Sequence, residues 1–204
     1  MVDTQLVARG VRHCAVLDAM RCIPRERFVP TEIASRAYED AALPGECGQT
    51  ISQPFMVARM SELLEPDVSA SVLEIGTGTG YQTAILARLF ARVYTIEWHL
   101  RLMAAARERL ERLECTNVTY RCSDGSLGWP DASPFDAILL TAGAPRMPEV
   151  VRDQLAAGGR LVAPIGPETG QTLVRVRRGE SGFKQEALFQ CRFVKLWGAQ
   201  GWRD

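Results

Sequence analysis

VLEIGTGTGYQT, residues 72 to 83, runs from an apolar, strand-like segment through three glycines in five positions into an amphipathic segment. Glycine costs backbone entropy wherever the chain is ordered, so each of the three should allow something that a side chain would block. A tight turn alone needs only one. A strand, such a loop and then a helix make the first crossing of a doubly wound sheet, where ligands bind at the carboxyl ends of the strands. Gly76, Gly78 and Gly80 fall at that crossing, with Thr77 between the first two. There the backbone can approach a ligand closely, and the helix that follows offers free N–H groups.

Working outward, short apolar runs alternate with amphipathic segments. The pattern predicts strands at 71–75, 92–96, 118–122, 135–140 and 160–165, with helices at 80–90, 99–113 and 147–156 between them. In the second of these helices Leu102, Ala106, Leu110 and Leu113 form one stripe, and Glu108 and Arg112 form an i,i+4 pair elsewhere on its surface. Alternation with apolar strands means a parallel sheet covered on both faces. After the fifth strand the alternation stops: TLVRVRR (172–178) and ALFQCRFV (187–194) are separated only by a turn around RGESG. Such short connections force antiparallel neighbours. The expectation is an α/β fold, a doubly wound, mostly parallel seven-stranded sheet of Rossmann-like type that ends in an antiparallel edge meander.

Ahead of the sheet, apolar residues at helical spacing predict a helix over residues 4 to 22, ended by Pro24. A turn with a short extended piece follows at 23–30, then a short helix at 31–40. ALPGECGQTISQP is a glycine- and proline-punctuated loop, and a helix begins near Pro54. Residues 1–65 are expected to form a helical cap with a substrate loop, and residues 66–204 the ligand-binding α/β domain, as one compact unit.

The composition narrows the function. Acidic and basic residues balance at 24 each, so no global field holds nucleic acid or an anionic membrane. Apolar runs are strand-length and broken by charges, too short to span a bilayer, and the N-terminus lacks signal-peptide architecture. Six cysteines without a C-x-x-C and only two histidines argue against a metal site and for reduced thiols in the cytoplasm.

The ligand follows from charge. Dinucleotide sites favour G-x-G-x-x-G, whereas here the pattern is E-x-G-x-G-x-G, with Glu74 two residues before the first glycine. A carboxylate repels a pyrophosphate and attracts a sulfonium or amino group, which points to S-adenosylmethionine. Glu97, closing VYTIE, stands where a carboxylate takes both ribose hydroxyls, although a solvated strand end is an equal reading of that residue alone. Asp124-Gly125 continues the crevice toward an adenine edge, and the same pair is commonly just a turn. Trp98 either packs on the adenine or covers a helix end.

ALPGECGQTISQPFMVARMSELLE followed by SVLEIGTGTGYQTAILA closely resembles the bacterial type of protein-L-isoaspartate O-methyltransferase. RERFVP upstream and PFDAILLTAGAP, GGRLVAPIG and LVRVRR downstream are similar too, so the resemblance covers nearly the whole chain. It implies an S-adenosyl-L-methionine-dependent enzyme that methylates the α-carboxylate of L-isoaspartyl residues in damaged proteins and peptides. It implies cofactor contacts at Glu74, Gly76, Thr77, Gly78, Gly80, Glu97, Trp98, Asp124 and Gly125, and an active-site Ser52 with Thr50 and Ile51 alongside. Glu46 and Cys47 depart from the family pattern beside the substrate entrance, and the resemblance assigns no role to Trp197 and Trp202.

A carboxylate is already ionised at neutral pH, so its methylation needs no general base, and Ser52 reads as a positioner of the substrate. Its alternative role is N-cap of the helix at Pro54. Rival readings are a carboxyl methyltransferase dedicated to one Asp-containing peptide, a nicotinamide oxidoreductase, which the glycine spacing disfavours, and a non-catalytic S-adenosylmethionine-binding module. The expected partners are isoaspartyl-containing proteins and peptides, with no nucleic acid and no membrane, and the chain is expected to be a monomer.

Overall fold

Burial on both faces dictates the direction of the central sheet. The computed structural model describes residues 1–203. After a small antiparallel hairpin, β1 (Leu43–Pro44) and β2 (Thr50–Ile51), seven strands follow in one sheet. They are β3 (Ser71–Ile75), β4 (Arg92–Glu97), β5 (Val118–Cys122), β6 (Phe135–Leu140), β7 (Leu155–Ile165), β8 (Gln171–Gly179) and β9 (Gly182–Cys191). Every residue of β3 is buried, as a central parallel strand covered by helices requires. The spatial order is β5-β4-β3-β6-β7-β8-β9. β3 to β7 pair in parallel, and β8 and β9 finish the sheet as an antiparallel meander. The connections diverge between β3 and β4 on one side and β6 on the other, so the crevice opens at the ends of those strands.

The helices are α1 (Cys14–Cys22), α2 (Pro54–Leu63), α3 (Tyr81–Leu89), α4 (Leu100–Arg112) and the single-turn α5 (Glu149–Arg152). Leu102, Ala106 and Leu110 are the buried stripe of α4, and Arg112 meets Glu108 at 2.5 Å on its surface. Side chains alternate across the strands, dividing the core in two. Val72 packs with the N-terminal segment, α2 and α3, while Leu73 and Ile75 pack with Phe135, Leu161 and Val176 on the other face. Leu6, Met20 and Phe28 are wholly buried in the first of these clusters. At about 1.5–3 kcal/mol for each large apolar side chain removed from water, the N-terminal segment is welded to the sheet rather than draped on it.

Four expected elements differ. The single helix over 4–22 is broken at Gly10, whose φ of 92° is left-handed, leaving a short wide turn at Val2–Leu6, a 3₁₀ turn at Val7–Arg9 and then α1. The short helix expected at 31–40 is a 3₁₀ turn at Thr31–Arg36, after another at Arg25–Phe28. The expected helix over 147–156 shrinks to α5 because Leu155 already pairs with Phe135, ahead of a bulge in β7 that sets Arg160 opposite Ala137. β9 begins at Gly182, five residues early, because the exposed run Phe183–Glu186 forms the solvated half of an edge strand.

Beneath the glycine loop, Glu74 shares the face of Val72 and points under α3. It is completely buried; its Oε2 accepts hydrogen bonds from Thr83 of α3 (2.6 Å) and Thr95 of β4 (2.7 Å), and Oε1 has no partner among the described residues. Burial outweighs the two hydroxyl bonds and pushes this carboxyl up to about 8. It is mostly a neutral acid at pH 7, for which an unpartnered oxygen costs far less than for an anion. This corrects the expectation that Glu74 presents a charge to a cationic ligand.

The folded value lies above the ordinary 4.5, so the native state keeps a proton that the unfolded chain loses. That stabilisation is complete below pH 4.5 and is lost as the pH rises through about 8. Glu74→Gln, which cannot ionise, should therefore gain on the wild type between about pH 5 and about pH 9, by up to roughly 5 kcal/mol. Urea titrations across that range check it; parallel pH profiles would show that Glu74 does not titrate there.

Candidate active site

The chain leaving β3 is held by its neighbours before any ligand arrives. The N–H groups of Gly76 and Thr77 both reach the carbonyl of Ile96, at 2.8 and 3.3 Å, and the Thr77 hydroxyl lies 2.7 Å from that of Thr95. Thr141, just past β6, donates its hydroxyl toward the carbonyls of Ile75 (2.9 Å) and Gly76 (2.6 Å). A Cβ on Gly76 would collide with that hydroxyl, and φ there is 101°. Gly76 is thus demanded by conformation and by space. Gly80 has a different reason: at φ 90° it starts α3, and a Cβ would lie 3.2 Å from that of Ala106 in α4. It permits close packing of α3 against α4, between Thr79 and Tyr81 of the cavity lining.

Glu97 ends β4 with a side chain only 5% exposed, so it is no solvated strand end. One carboxylate oxygen accepts the Gly78 N–H at 2.8 Å and the other the His99 N–H at 3.0 Å. About half of a carboxylate's acceptor capacity remains after two such bonds. A concave crevice opens here at the carboxyl ends of β3 and β4. Gly76, Thr77, Gly78, Glu97, half-exposed Trp98 and Gly125 line it, with apolar Ile75, Ile96 and Val57. A glycine cradle, an acceptor for hydroxyl groups and an apolar slot suit a nucleoside with a charged tail.

From the cap side, Thr50, Ile51 and Ser52 complete this crevice. They stand there because β2 pairs with β1 across the Gly45–Gln49 turn, closed by the Gly45 N–H to Gln49 carbonyl bond at 2.8 Å. Glu46 ties that turn to α4 by ion pairs to Arg109 (3.0 Å) and Arg101 (3.8 Å). Cys47 beside it is exposed at φ 54°. The N-cap of α2 is Gln53, which bonds Asp40 instead of the helix. Ser52 is therefore not the cap.

A second cavity lies between the cap and the end of β9. Thr50, Ser52, Thr141 and Val194 line both cavities and form the wall between them. Phe55, Phe189 and Phe193 give the second an aromatic lining, and Arg9 stacks on Phe55 while pairing with Asp40 at 3.0 Å.

Asp124 stands beside Gly125 at the rim of the first cavity. Its Oδ1 accepts from the Ser126 N–H (2.9 Å) and hydroxyl (2.6 Å), and Oδ2 accepts the Ala199 N–H at 2.8 Å. Asp124 thereby anchors the C-terminal segment, which returns to the site and adds Val194, Lys195, Leu196 and Trp197 to the wall. Trp202 donates its indole N–H to the Gly143 carbonyl at 3.0 Å, and Lys195 lies over both the Trp197 and Trp202 rings. Sequence reading missed these residues; the two tryptophans in a polar tail were the one signal that pointed to them.

A sequence model of the family described as Protein-L-isoaspartate(D-aspartate) O-methyltransferase (PCMT) matches residues 1–201. The protein-L-isoaspartate O-methyltransferase of Geobacter metallireducens is 51% identical over 203 residues, 99% of this chain and 94% of the relative. A solved protein-L-isoaspartate O-methyltransferase superposes with a TM-score of 0.86 at 32% identity, over 98% of this chain and 67% of the other. A Plasmodium falciparum protein solved in complex with S-adenosyl-L-homocysteine shares the fold, with a TM-score of 0.82 at 24% identity and 96% of each chain covered. The chain belongs to the protein-L-isoaspartate(D-aspartate) O-methyltransferase family.

Proposed function

We propose that this protein transfers the methyl group of S-adenosyl-L-methionine to the α-carboxylate of L-isoaspartyl residues in damaged proteins and peptides. The observation that carries this reading is the pair of cavities separated only by Thr50, Ser52, Thr141 and Val194. Two reactants can meet there without sharing a pocket. The family relation and the name of the Geobacter metallireducens relative support the substrate class. The S-adenosyl-L-homocysteine complex of the Plasmodium falciparum protein supports the cofactor.

Gly76, Thr77 and Gly78 would hold the cofactor's charged tail, Glu97 its ribose hydroxyls and Trp98 its adenine. Bound there, the cofactor supplies an electrophilic methyl on a sulfonium. The chain's own residues do the rest by placement. Thr141 is pinned to β3 by two carbonyls and fixes one side of the meeting point, while Ser52 offers a hydroxyl from the other. The incoming carboxylate is already an anion, so these residues orient it and exclude water rather than move a proton. The product ester leaves the enzyme; its carbonyl is then attacked by the next backbone nitrogen, methanol departs, and the succinimide hydrolyses to normal and isoaspartyl links. Residues 1–65 act as the cover of the α/β part, and the protein works as a cytoplasmic monomer, with acid and base in balance. Among the described residues, no helix is long and apolar enough to cross a membrane.

Isoaspartate carries its free carboxylate directly on Cα, while the chain continues through the side-chain carbon. A wall that fixes the backbone on both sides can bring only this carboxylate to a near-attack separation of about 3–3.5 Å, and displacement by one methylene should cost orders of magnitude. Methyl transfer to an isoaspartyl peptide, with almost none to its aspartyl twin, is the expected result; equal transfer would sink the assignment. Ser52→Ala should lower kcat at least several-fold and leave cofactor affinity within a few-fold; unchanged kcat would remove its role alone.

Glu97→Ala should weaken S-adenosyl-L-homocysteine binding by about 1.5–3 kcal/mol, the worth of hydrogen bonds to a charged group. Isothermal titration of the folded variant checks this, and unaltered affinity would take Glu97 out of the ribose site.

A further inference from the structure

Arg25 is completely buried and no carboxylate pairs with it among the described residues. Its neighbour Glu26 bonds Tyr38 instead. Nε donates to the carbonyl of Ala37 at 2.7 Å, Nη2 donates to the carbonyl of Ser52 at 2.8 Å, and the guanidinium lies 4.8 Å from the Tyr81 ring centroid. Nη1 is buried without a partner. Burial pulls the group down to about 10, so it stays a cation at neutral pH. An apolar side chain of similar length would fill this space without burying a charge, but it would leave the carbonyls of Ala37 and Ser52 without this donor. The guanidinium needs a reason beyond packing.

Its contacts supply one. Arg25 and Ala37 belong to the cap, Ser52 to the loop between the two cavities, and Tyr81 to the first turn of α3 behind the glycine loop. Ser52 and Tyr81 both line the first cavity. A single planar group thus ties the substrate loop to the helix that follows the glycine loop. The peptide between Ser52 and Gln53 is planar and trans, so turning its carbonyl toward Arg25 turns the Gln53 N–H the opposite way. The cation also polarises that peptide and strengthens the N–H as a donor.

We infer that Arg25, although outside both cavities, is a positioning residue for methyl transfer: it fixes the Ser52–Gln53 peptide and with it the seat of the reacting carboxylate. The inference rests on the reading that Ser52 faces the substrate. A seat displaced by about 1 Å can cost two orders of magnitude in rate, so the effect belongs in kcat rather than in cofactor affinity.

The test compares Arg25→Met, Arg25→Lys and Arg25→Gln with Phe28→Leu, a control in the same buried cluster that packs on Tyr81 without touching Ser52. Well below each variant's Tm, Arg25→Met should lower kcat on an isoaspartyl peptide by about 20-fold or more and hold the S-adenosyl-L-homocysteine Kd within about threefold. Arg25→Lys, which keeps the charge and can reach one carbonyl, should fall between Arg25→Met and wild type. Phe28→Leu should lower Tm and spare kcat. Should the methionine variant fail to fold, the lysine and glutamine variants carry the same comparison. Combined with Ser52→Ala, Arg25→Lys should add little, since one acts through the other. A kcat within threefold of wild type, an equal loss in Phe28→Leu, or a Kd that weakens in step with kcat would each overturn the inference. If Ser52→Ala is itself fully active, the reading of Ser52 fails first and the inference falls with it; if Ser52→Ala is slow while the Arg25 variants are not, only the inference fails.

Discussion

The site depends on one carboxylate placed at the end of one strand. Parallel pairing sets Ile75 of β3 beside Ile96 of β4, so the two chains leave the sheet together. Glu97 then joins the departing loops, taking the Gly78 N–H on one oxygen and the His99 N–H on the other. Without it, two backbone donors at the rim of the crevice would lack partners, and the loop after β3 would be held only by its bonds to Ile96, Thr95 and Thr141 and its own internal turn. Glu74, on the neighbouring strand, shows how much the direction of a side chain matters. It sits deeper in the sheet, level with Thr95, and faces α3. There it finds hydroxyl donors and no water, and becomes a buried acid that supports the loop from below.

The sheet was legible in the sequence because its central strands are buried on both faces, and a continuous apolar run of strand length fits little else than a covered parallel strand. The meander was legible because the chain between β7, β8 and β9 is too short for crossover helices. What could not be read were choices made by tertiary contact. Gly10 splits a helical pattern whose apolar stripe continues across the break, since Leu6, Val11 and Val16 are all buried regardless. Periodicity reports the buried face, not the continuity of the backbone. Glu74 was misplaced for a related reason: the motif gives its distance from the glycines, whereas the alternation of β3 gives its direction. Asp124 and Gly80 stand next to the crevice and serve its walls, one by holding the C-terminal segment and the other by admitting Ala106 of α4.

Glu46, Trp197 and Trp202 are structural fasteners. Glu46 pairs with Arg109, whose other nitrogen approaches the Thr79 carbonyl at 3.4 Å. The substrate loop, α4 and the glycine loop are thereby tied at one point. Trp197 and Trp202 bridge within the C-terminal segment, and the Trp202 indole fastens it to Gly143. An exposed ion pair contributes little to stability; its value here is geometric, because it fixes which loop faces which cavity.

On the proposed reading, the reactants meet at the wall between the cavities. Thr50, Ser52, Thr141 and Val194 are the residues common to both sides, and none of them changes charge near neutral pH. An acid–base enzyme needs a group with a matched pKa at this point; a carboxylate meeting a sulfonium does not, because the nucleophile arrives ionised and the products need no proton. What such a reaction requires is two neutral, rigid stops facing each other across the gap. Thr141 is rigid because two carbonyls of the β3 exit hold its hydroxyl, and Gly76 must be glycine to make room for it. Ser52 comes from a loop with only a two-residue strand to steady it, so its rigidity has to be supplied from behind. Its carbonyl accepts a bond from the buried guanidinium of Arg25, and that is where the asymmetry between the sheet side and the cap side of the wall is resolved.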